Sequence, residues 1–425
     1  MNTKTFLEQL ENRAYDELLV DLYEDASLLD YQYQRYAEAC KKFIELYGEG
    51  DLELYSAAGR SEVGGNHTDH QHGRVCAASI NLDAIGFVRR QEGTIKVVSD
   101  AFDIPEIALD DLTKKDDEEG TSAALIRGVV SKLKELGYKI GGFEAFITSD
   151  VLVGAGLSSS AAFEDIIGTI IDGLYNDMKI DMVTIAKVGQ YAENVYFGKP
   201  CGLMDQCACA VGGLIAIDFK DPEAPVVHPV DVDFGEFGYS LCILDAKGSH
   251  ANLTPEYAAI PTEMKEVASF FGKDVLREVS KQDVLDHMNE IRVQFGDRAF
   301  LRAYHFFNEN DRVPHLVDAL EAHDVDTFLK LIKESGDSSY KDLQNVYPSS
   351  DPKNQSLSIA LTLTEEILGD HGVCRVHGGG FAGTIQAFVK DDFVGEYKKE
   401  IEKYFGEGSC HVLKIRKYGG KKVLA

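Results

Sequence analysis

The feature that most constrains the fold is a strand, a glycine- and serine-rich loop and an apolar helix that follow one another within one stretch of about 35 residues. The strand is predicted over GFEAFITSD (142–150), and the loop includes VGAGLSSS (153–160). The segment AAFEDIIGTIIDGLYN (161–176) then has the length and apolar content of a helix. This succession predicts a mixed fold of strands and helices.

The loop in this unit has the composition of an anion-binding turn. A helix N-terminus offers unsatisfied backbone N–H groups and a partial positive charge, so phosphate binds there readily. Glycines let the backbone approach an anion closely, and serine hydroxyls add donors or a ligand for Mg²⁺. No lysine follows in the manner of a Walker A loop. From this segment alone, phosphate binding and a plain strand–helix turn with serine caps both remain open.

Further elements are predicted from periodicity and from turn residues. Helices are predicted within 5–46, 122–136 and 182–197 and in segments between 246 and about 370. Strands are predicted at 52–60 (running into a turn), 75–90 (one or two strands), 94–100 and 239–246, twice around a glycine turn within 373–389, and at 410–415. Both halves of the chain therefore mix strands with helices.

The length of 425 residues exceeds what one ordinary core serves, so we expect two domains. The segment 221–238 holds three of the ten prolines between apolar stretches and is the predicted crossover. We therefore divide the chain into domains 1–235 and 236–425, with an uncertainty of some tens of residues at the boundary.

The charge balance restricts the partners. Lysine and arginine number 43 against 71 aspartates and glutamates, a formal net charge of −28, which disfavours nucleic acids and anionic membranes as general partners. The N-terminus lacks the pattern of a secretory signal, and the eight cysteines are too sparse for a disulfide scaffold. We expect a cytoplasmic protein with reduced thiols, as a monomer or weak homo-oligomer.

A dense polar cluster occurs in GRSEVGGNHTDHQHG (59–73). His67, Asp69, His70 and His72 are all potential metal ligands, yet their spacing matches none of the usual zinc patterns. Short polar side chains at this density also suit hydrogen bonding to a polyol. From spacing alone, a metal site, a sugar site and a plain turn stay open.

Four segments taken in order resemble the galactokinase family. GRSEVGGNHTDHQHGRV resembles the family motif GR-x-N-x-x-GEHTDY-x-x-G-x-V, and VGAGLSSSAAFE resembles the phosphate loop of the galactokinase, homoserine kinase, mevalonate kinase and phosphomevalonate kinase superfamily. AENVYFGKPCGLMDQ (192–206) is similar to the segment with the catalytic aspartate, and RVHGGGFAGTIQAFV (375–389) to the third, glycine-rich motif. The resemblance implies an α/β (α+β) kinase fold of two domains, with an N-terminal phosphate-loop domain, a C-terminal ferredoxin-like domain and the active site between them.

The same resemblance implies ATP-dependent phosphorylation of galactose, or a close galactose-configured sugar, at the anomeric hydroxyl. Asp205 would accept the proton of that hydroxyl, and Arg60 would keep the carboxylate ionised and steady the moving phosphoryl group. The other roles implied by the resemblance are sugar contacts for Asn66, His67, Asp69, Gly202 and Tyr257, ATP phosphate contacts for Gly154, Gly156, Leu157, Ser158, Ser159 and Ser160, and Mg²⁺ ligands in Ser160 and Glu193.

The sequence departs from the family motif at two positions beside the expected sugar site. Asn66 stands where the family has Glu, and His70 where it has Tyr. Because the family's Glu is associated with the C6 hydroxyl, an amide there raises the hypothesis of a C6-variant sugar such as galacturonate. A non-catalytic sugar sensor, a metal-dependent hydrolase built on the histidine cluster and a kinase for another small alcohol are further alternatives. The long N-terminal arm is either a packing element or an oligomer contact.

Overall fold

The computed structural model describes residues 1–99, 104–152, 156–199, 201–248 and 253–424. Within these residues the helices are α1 Thr3–Glu11, α2 Asp16–Tyr23, α3 Leu29–Tyr47, α4 Ser122–Glu135, α5 Ser159–Tyr175, α6 Met182–Tyr191, α7 Met204–Val211, α8 Thr254–Phe270, α9 Lys281–Asp286, α10 Met288–Phe295, α11 Asp297–Glu321, α12 Val325–Ser338, α13 Ser356–Leu368 and α14 Val394–Phe405. Helices α6 and α12 continue as π-helical turns, Ala192–Phe197 and Ser339–Leu343.

The strands of the described residues form two sheets. They are β1 Glu53–Gly64, β2 Arg74–Gln91, β3 Thr94–Ser99, β4 Ile107–Ala108, β5 Gly142–Ser149, β6 Leu214–Asp218, β7 Val226–Val230, β8 Tyr239–Asp245, β9 Gly372–Val376, β10 Thr384–Lys390, β11 Cys410–Leu413 and β12 Lys421–Leu424. The first sheet has the order β12-β1-β2-β5-β3-β4, with β6 paired to β2 and β7 to β6, and the second has the order β11-β8-β10-β9.

The first sheet is built on the long antiparallel pair β1 and β2. Their register runs from Glu53 opposite Val88 to Gly64 opposite Cys76, with irregularities between Ala58 and Arg60 and again further along. Strand β1 was predicted to reach a turn at residue 60, but it continues for four more residues because β2 remains paired with it. Residue 60 therefore lies within a strand, at one of these irregularities.

The second sheet has the connectivity of a ferredoxin-like unit. Strand β8 leads through helices to β9, β10 follows directly, and α14 leads to β11. All the pairings are antiparallel, with β8 and β10 in the centre. Helices α13 and α14 bury Leu357, Tyr397 and Ile401 in the core of this sheet. The predicted ferredoxin-like arrangement of the C-terminal half is confirmed.

The helices α4, α5, α6 and α7 pack on the first sheet through apolar residues at helical spacing. Ile126 and Val129 of α4 and Ile166 and Ile170 of α5 are buried in one core with strands β2 and β5. Helix α4 ends where predicted, before Gly137, whose φ of 86° is left-handed. Helix α5 is thereby fixed against the first sheet.

The N-terminal arm packs as a third layer. Phe6, Leu22 and Phe43 form a core with Phe87 of β2. Beneath them Asp83 is fully buried and is paired with Arg35 of the arm at 2.7 Å and with Arg416 at 2.9 Å. The arm is therefore a packing element of this chain.

Two segments differ from the predictions. The segment 221–238, predicted as a crossover, contains β7 as well, and Pro229 fits there because β7 pairs only with β6 among the described strands. Strand β12 was not predicted; it returns the chain to the first sheet by pairing with β1. The division into domains near residue 235 stays a prediction.

All eight cysteines are free thiols, as expected from their spacing. In the described part of the chain, no helix combines the length and the apolar character that crossing a membrane requires.

Candidate active site

The centre of the site is a bidentate ion pair between β1 and α7. Arg60 donates from Nε to Oδ1 of Asp205 at 2.8 Å and from Nη2 to Oδ2 at 2.9 Å. Burial raises the pKa of Asp205, but Arg60 and a hydrogen bond from Ser158 outweigh it, so the pKa lies below its ordinary value. The Arg60 side chain is 8% exposed and that of Asp205 34%. Asp205 is thus an ionised carboxylate that still faces open space.

The phosphate loop meets this ion pair. Arg60 donates to the carbonyl of Gly156 through its side chain and to that of Leu157 through its backbone N–H. Ser158 donates from Oγ to Oδ2 of Asp205 at 2.6 Å. The predicted phosphate residues from Gly156 to Ser160 therefore lie beside the predicted catalytic pair, while Gly154 lies outside the described residues.

The start of α5 is arranged to receive an anion. Ser158 precedes the helix in a left-handed conformation with φ of 59°, and no described side chain caps the first turn. The first N–H groups of a helix have no intrahelical acceptor. A phosphate group at this end would accept those hydrogen bonds and would also gain from the helix dipole.

The two predicted Mg²⁺ ligands lie together at the same end. Ser160 donates from Oγ to Oε1 of Glu193 at 3.3 Å, and Lys199 contacts the same oxygen at 2.9 Å. Gln206 donates to Glu193 Oε2 at 2.9 Å and to Glu164 Oε2 at 3.0 Å. One hydroxyl and one carboxylate oxygen fit Mg²⁺, which prefers oxygen and keeps positions for water and substrate phosphates.

His67 and Asp69 lie in the turn between β1 and β2, with Gly202 against Asp69. A Cβ added to Gly202 would lie 2.6 Å from Oδ2 of Asp69. His70 contacts the other oxygen of Asp69 at 3.0 Å and Nδ1 of His67 at 3.1 Å. The cluster is therefore a hydrogen-bonded network. Across the described residues, no three His, Cys, Asp or Glu side chains are grouped to hold a metal ion.

The glycine turn between β9 and β10 supports this network from the other side. Its carbonyls accept from Asn66 Nδ2 at Gly378 (2.7 Å), from His67 Nε2 at Gly379 (3.0 Å) and from the Tyr257 hydroxyl at Gly380 (2.9 Å). Tyr257 also packs on the backbone of this turn, since a Cβ at Gly379 would lie 2.9 Å from its ring. Tyr257 and His67 are thus brought together by one turn.

Asn66 does not face this cleft. Its side chain is fully buried, and its Nδ2 donates to Oε1 of Glu62 at 2.9 Å as well as to the glycine turn. Its Oδ1 accepts from Ser339 at 3.3 Å and from Asn345 at 2.9 Å. Both amide donors and the acceptor of its side chain are engaged inside the protein, so the geometry gives Asn66 a structural role beneath the site.

Several residues that support the site were not predicted from the sequence. Glu62 pairs with the buried Arg375 at 2.7 Å, and His377 contacts Ser61 Oγ at 3.1 Å. The signal was present, because Glu62 departs from the Asn of the family motif at the same spacing from Arg60. Its partner Arg375 is too distant in sequence for any local pattern to reveal the pair.

Known proteins resemble this chain over most of its length. The galactokinase galactose-binding signature matches residues 41–90, and the GHMP kinase N-terminal domain matches residues 124–213. Galactokinase from Actinobacillus pleuropneumoniae serotype 3 (strain JL03) is 33% identical over 366 residues, 85% of this chain and 92% of that protein. The chain belongs to the galactokinase family.

Other relatives agree with this assignment. The galactokinase of Glaesserella parasuis serovar 5 (strain SH0165) is 33% identical over 85% of this chain and 91% of its own length. Lactococcus lactis galactokinase complexed with galactose is 26% identical, with a TM-score of 0.76 over 92% of this chain and 100% of that one. Methanococcus jannaschii mevalonate kinase, 18% identical with a TM-score of 0.58 over 86% of this chain and 99% of its own, shares the fold.

Proposed function

We propose that this galactokinase-family chain transfers the γ-phosphoryl group of ATP to the anomeric hydroxyl of galactose, giving galactose 1-phosphate and ADP. The observation that carries the proposal is the bidentate Arg60–Asp205 pair beside the start of α5, which no described side chain caps. It unites a carboxylate for the acceptor hydroxyl with an anion site for the donor phosphates. The named galactokinases at 33% identity support galactose as the acceptor.

In this mechanism Asp205 accepts a hydrogen bond from the anomeric hydroxyl and takes its proton as the new O–P bond forms. The carboxylate needs no prior deprotonation, because Arg60 and Ser158 already hold its pKa below the ordinary value against the effect of burial. A carboxylate held this way is a weak base, so proton transfer late in the reaction is favoured. Phosphoryl transfer tolerates this since most of its catalysis is positioning and charge stabilisation.

Arg60 has a second part in the mechanism. Its third donor, Nη1, contacts the carbonyl of Gly156 in the phosphate loop. One planar guanidinium therefore fixes the distance between the carboxylate for the acceptor and the loop for the donor. Such fixed placement of two reactants is the main source of rate in this class of reaction.

The Mg²⁺ ion would be held by Ser160 and Glu193 and would neutralise charge on the phosphates of ATP. The contacts of Ser160 and Lys199 with the same oxygen of Glu193 support this assignment, because this oxygen already binds a cation, the ammonium group of Lys199. Lys199 is 62% exposed, and turning toward a phosphate would require its ammonium group to leave Glu193.

The sugar would lie against Asp69, Gly202, His67 and Tyr257. Asp69 presents Oδ2 toward Gly202, and a carboxylate can accept from two neighbouring hydroxyls. The galacturonate alternative started from an amide at residue 66 facing C6. It is not favoured, because the amide of Asn66 is buried and engaged with Glu62, Asn345 and the glycine turn. The relatives are galactokinases, which also disfavours a non-catalytic sensor.

We further propose that the protein acts as a cytoplasmic monomer or weak homo-oligomer, with sugar and ATP as its partners. Its charge of −28 supports the exclusion of nucleic acids, and its eight free thiols support a reducing compartment. A division near residue 235 into a phosphate-loop domain and a ferredoxin-like domain is supported by the two sheets.

The test is an ADP-release assay with ATP, Mg²⁺ and a panel of galactose, galacturonate, N-acetylgalactosamine and glucose. We expect turnover with galactose, and a loss of about 10²–10⁴-fold in kcat for Asp205→Asn, in line with removal of a general base. Asp297→Asn, which alters an exposed partner of Arg292, is the matched control and should keep full activity. Galactose turnover by Asp205→Asn at the rate of this control would refute the mechanism, and binding without turnover by the wild type would refute the enzyme.

A further inference from the structure

Two hydrogen bonds and one ion-pair contact join four groups in a row beside the proposed sugar site. The carbonyl of Gly379 contacts Nε2 of His67 at 3.0 Å, and Nδ1 of His67 contacts Nε2 of His70 at 3.1 Å. Nδ1 of His70 then contacts Oδ1 of Asp69 at 3.0 Å. Both ring nitrogens of both histidines are therefore used, and both ends of the row are oxygens.

The directions of these bonds determine the number of protons. A carbonyl and a carboxylate only accept, so His67 Nε2 and His70 Nδ1 must each carry a hydrogen. The contact between the two rings needs one hydrogen more, because two bare nitrogen lone pairs repel each other. Two neutral imidazoles carry two N–H hydrogens in total. The row requires three, so the histidine pair carries one positive charge.

The surroundings assign this charge to His70. Burial lowers the pKa of His70, but the adjacent Asp69 outweighs it and raises the pKa above the ordinary value. Burial and the neighbouring His70 lower the pKa of His67 to about 3. Among the other charged groups that face His70, Lys265 of α8 opposes the charge and Glu62 of β1 favours it.

We propose that His70 is a positioning residue for sugar recognition, a doubly protonated imidazolium that binds Asp69 on one side and His67 on the other. This inference rests on the proposed function, in which Asp69 accepts hydrogen bonds from the sugar. His70 occupies one oxygen of Asp69 and leaves Oδ2, the oxygen beside Gly202, for the sugar hydroxyls. The Tyr of the family motif has a single donor hydrogen and cannot donate to two acceptors. The bridge is therefore a property of this chain's own sequence.

A consequence follows for pH. When the pH rises through the raised pKa of His70, the pair loses its third proton and one of the three contacts is broken. The position of Asp69 is then less well fixed. We expect the KM for galactose to rise by about 10-fold, the size of a lost charged hydrogen bond, with the KM for ATP unchanged. The effect should appear on the alkaline side of the pKa of a free histidine.

The direct experiment is ¹⁵N NMR of histidine-labelled, full-length protein without substrate, titrated from pH 6 to pH 9. At pH 6 to 7 we expect His70 with both nitrogens protonated and His67 as the neutral Nε2–H tautomer. A neutral His70 at pH 6, or a His67 that is protonated first, would overturn the inference. This readout needs no turnover, so a protein without galactokinase activity would defeat the proposed function and leave the proton assignment standing.

Kinetics of two variants complete the test. His70→Phe removes both donors and should raise the galactose KM by about 10-fold at pH 7 and abolish its pH dependence. His70→Tyr keeps one donor and should retain part of the affinity, also without the pH dependence. His315→Phe, at a histidine that is 70% exposed, is the matched control. An unchanged pH profile of the galactose KM in His70→Phe would contradict the positioning role.

Discussion

Replacing Gly202 by alanine tests the sugar site with one added methyl group. The new Cβ would lie 2.6 Å from Oδ2 of Asp69, whereas ordinary contact begins at 3.4 Å. The carboxylate must therefore retreat by roughly 0.8 Å. Alanine causes no backbone strain at this position, because φ at Gly202 lies outside the left-handed region.

The size of the effect on stability depends on which atoms must move to make room for the methyl group. The atom in the way is the far end of a flexible side chain, and Gly202 is exposed, so stability should change by less than about 0.5 kcal/mol. Sugar recognition depends on the same atom. Since a displacement of about 1 Å can cost about 10²-fold in an active site, we expect kcat/KM for galactose to fall by about 10- to 100-fold.

The assay is ADP release at varied galactose and then at varied ATP, with thermal unfolding measured in parallel. The loss should lie in the galactose KM, and the ATP KM and the midpoint of unfolding should stay constant. Gly395→Ala is the matched control, because a Cβ there meets nothing within 4 Å at the start of α14. An unchanged galactose KM in Gly202→Ala would refute the placement of Asp69 in the sugar site.

Two further predictions concern buried charges beneath the site. Glu62→Asn removes the carboxylate that pairs with Arg375 and should lower the free energy of unfolding, measured by urea titration, by about 3 kcal/mol. Adding Asn66→Glu should recover more than half of this loss, because residues 62 and 66 are in contact. Losses that simply add in the double variant would contradict this coupling. Burial opposes the ionisation of Glu309, but its partners, Arg312 foremost, lower its pKa to about 2. The ionised Glu309 therefore stabilises the fold above about pH 4.3, and this contribution is lost as the pH falls toward 2. Glu309→Gln should therefore cost about 3 kcal/mol at pH 7 and progressively less below pH 4, and a pH-independent cost would count against this reasoning.

The local elements of the fold were predictable from the sequence because their signals are local. Helix α5 begins at Ser159, two residues before the prediction, and α4 ends at Glu135, within one residue of it. The periodic apolar residues of these helices, such as Ile166 and Ile170, form the core as their spacing indicates. Strand β12 is short, charged and without alternation, and only its pairing with β1 makes it a strand.

The residues of the candidate site could be named from the sequence, but the directions in which their side chains point could not. The motifs predicted that Arg60 and Asp205, which are 145 positions apart, lie close together, and the structure has them in bidentate contact. The same motifs placed Asn66 at the sugar. Its side chain instead turns inward, because Ser339 and Asn345, more than 270 positions away, offer it hydrogen-bond donors. No local pattern contains that information.

The pairing of the last strand with the first has a consequence for how this chain is made. Leu424 lies opposite Leu54 in the strand that goes on to carry Arg60, and Arg416 is one of the two cations that neutralise Asp83. During synthesis β12 and Arg416 are made about 350 residues after β1, so until then β1 lacks one partner strand and the buried Asp83 lacks one of its two cations. Contacts of such long sequence separation slow folding and prolong the exposure of unpaired edges. Without residues 416–424, β1 would lack its pairing with β12 and Asp83 would lack Arg416.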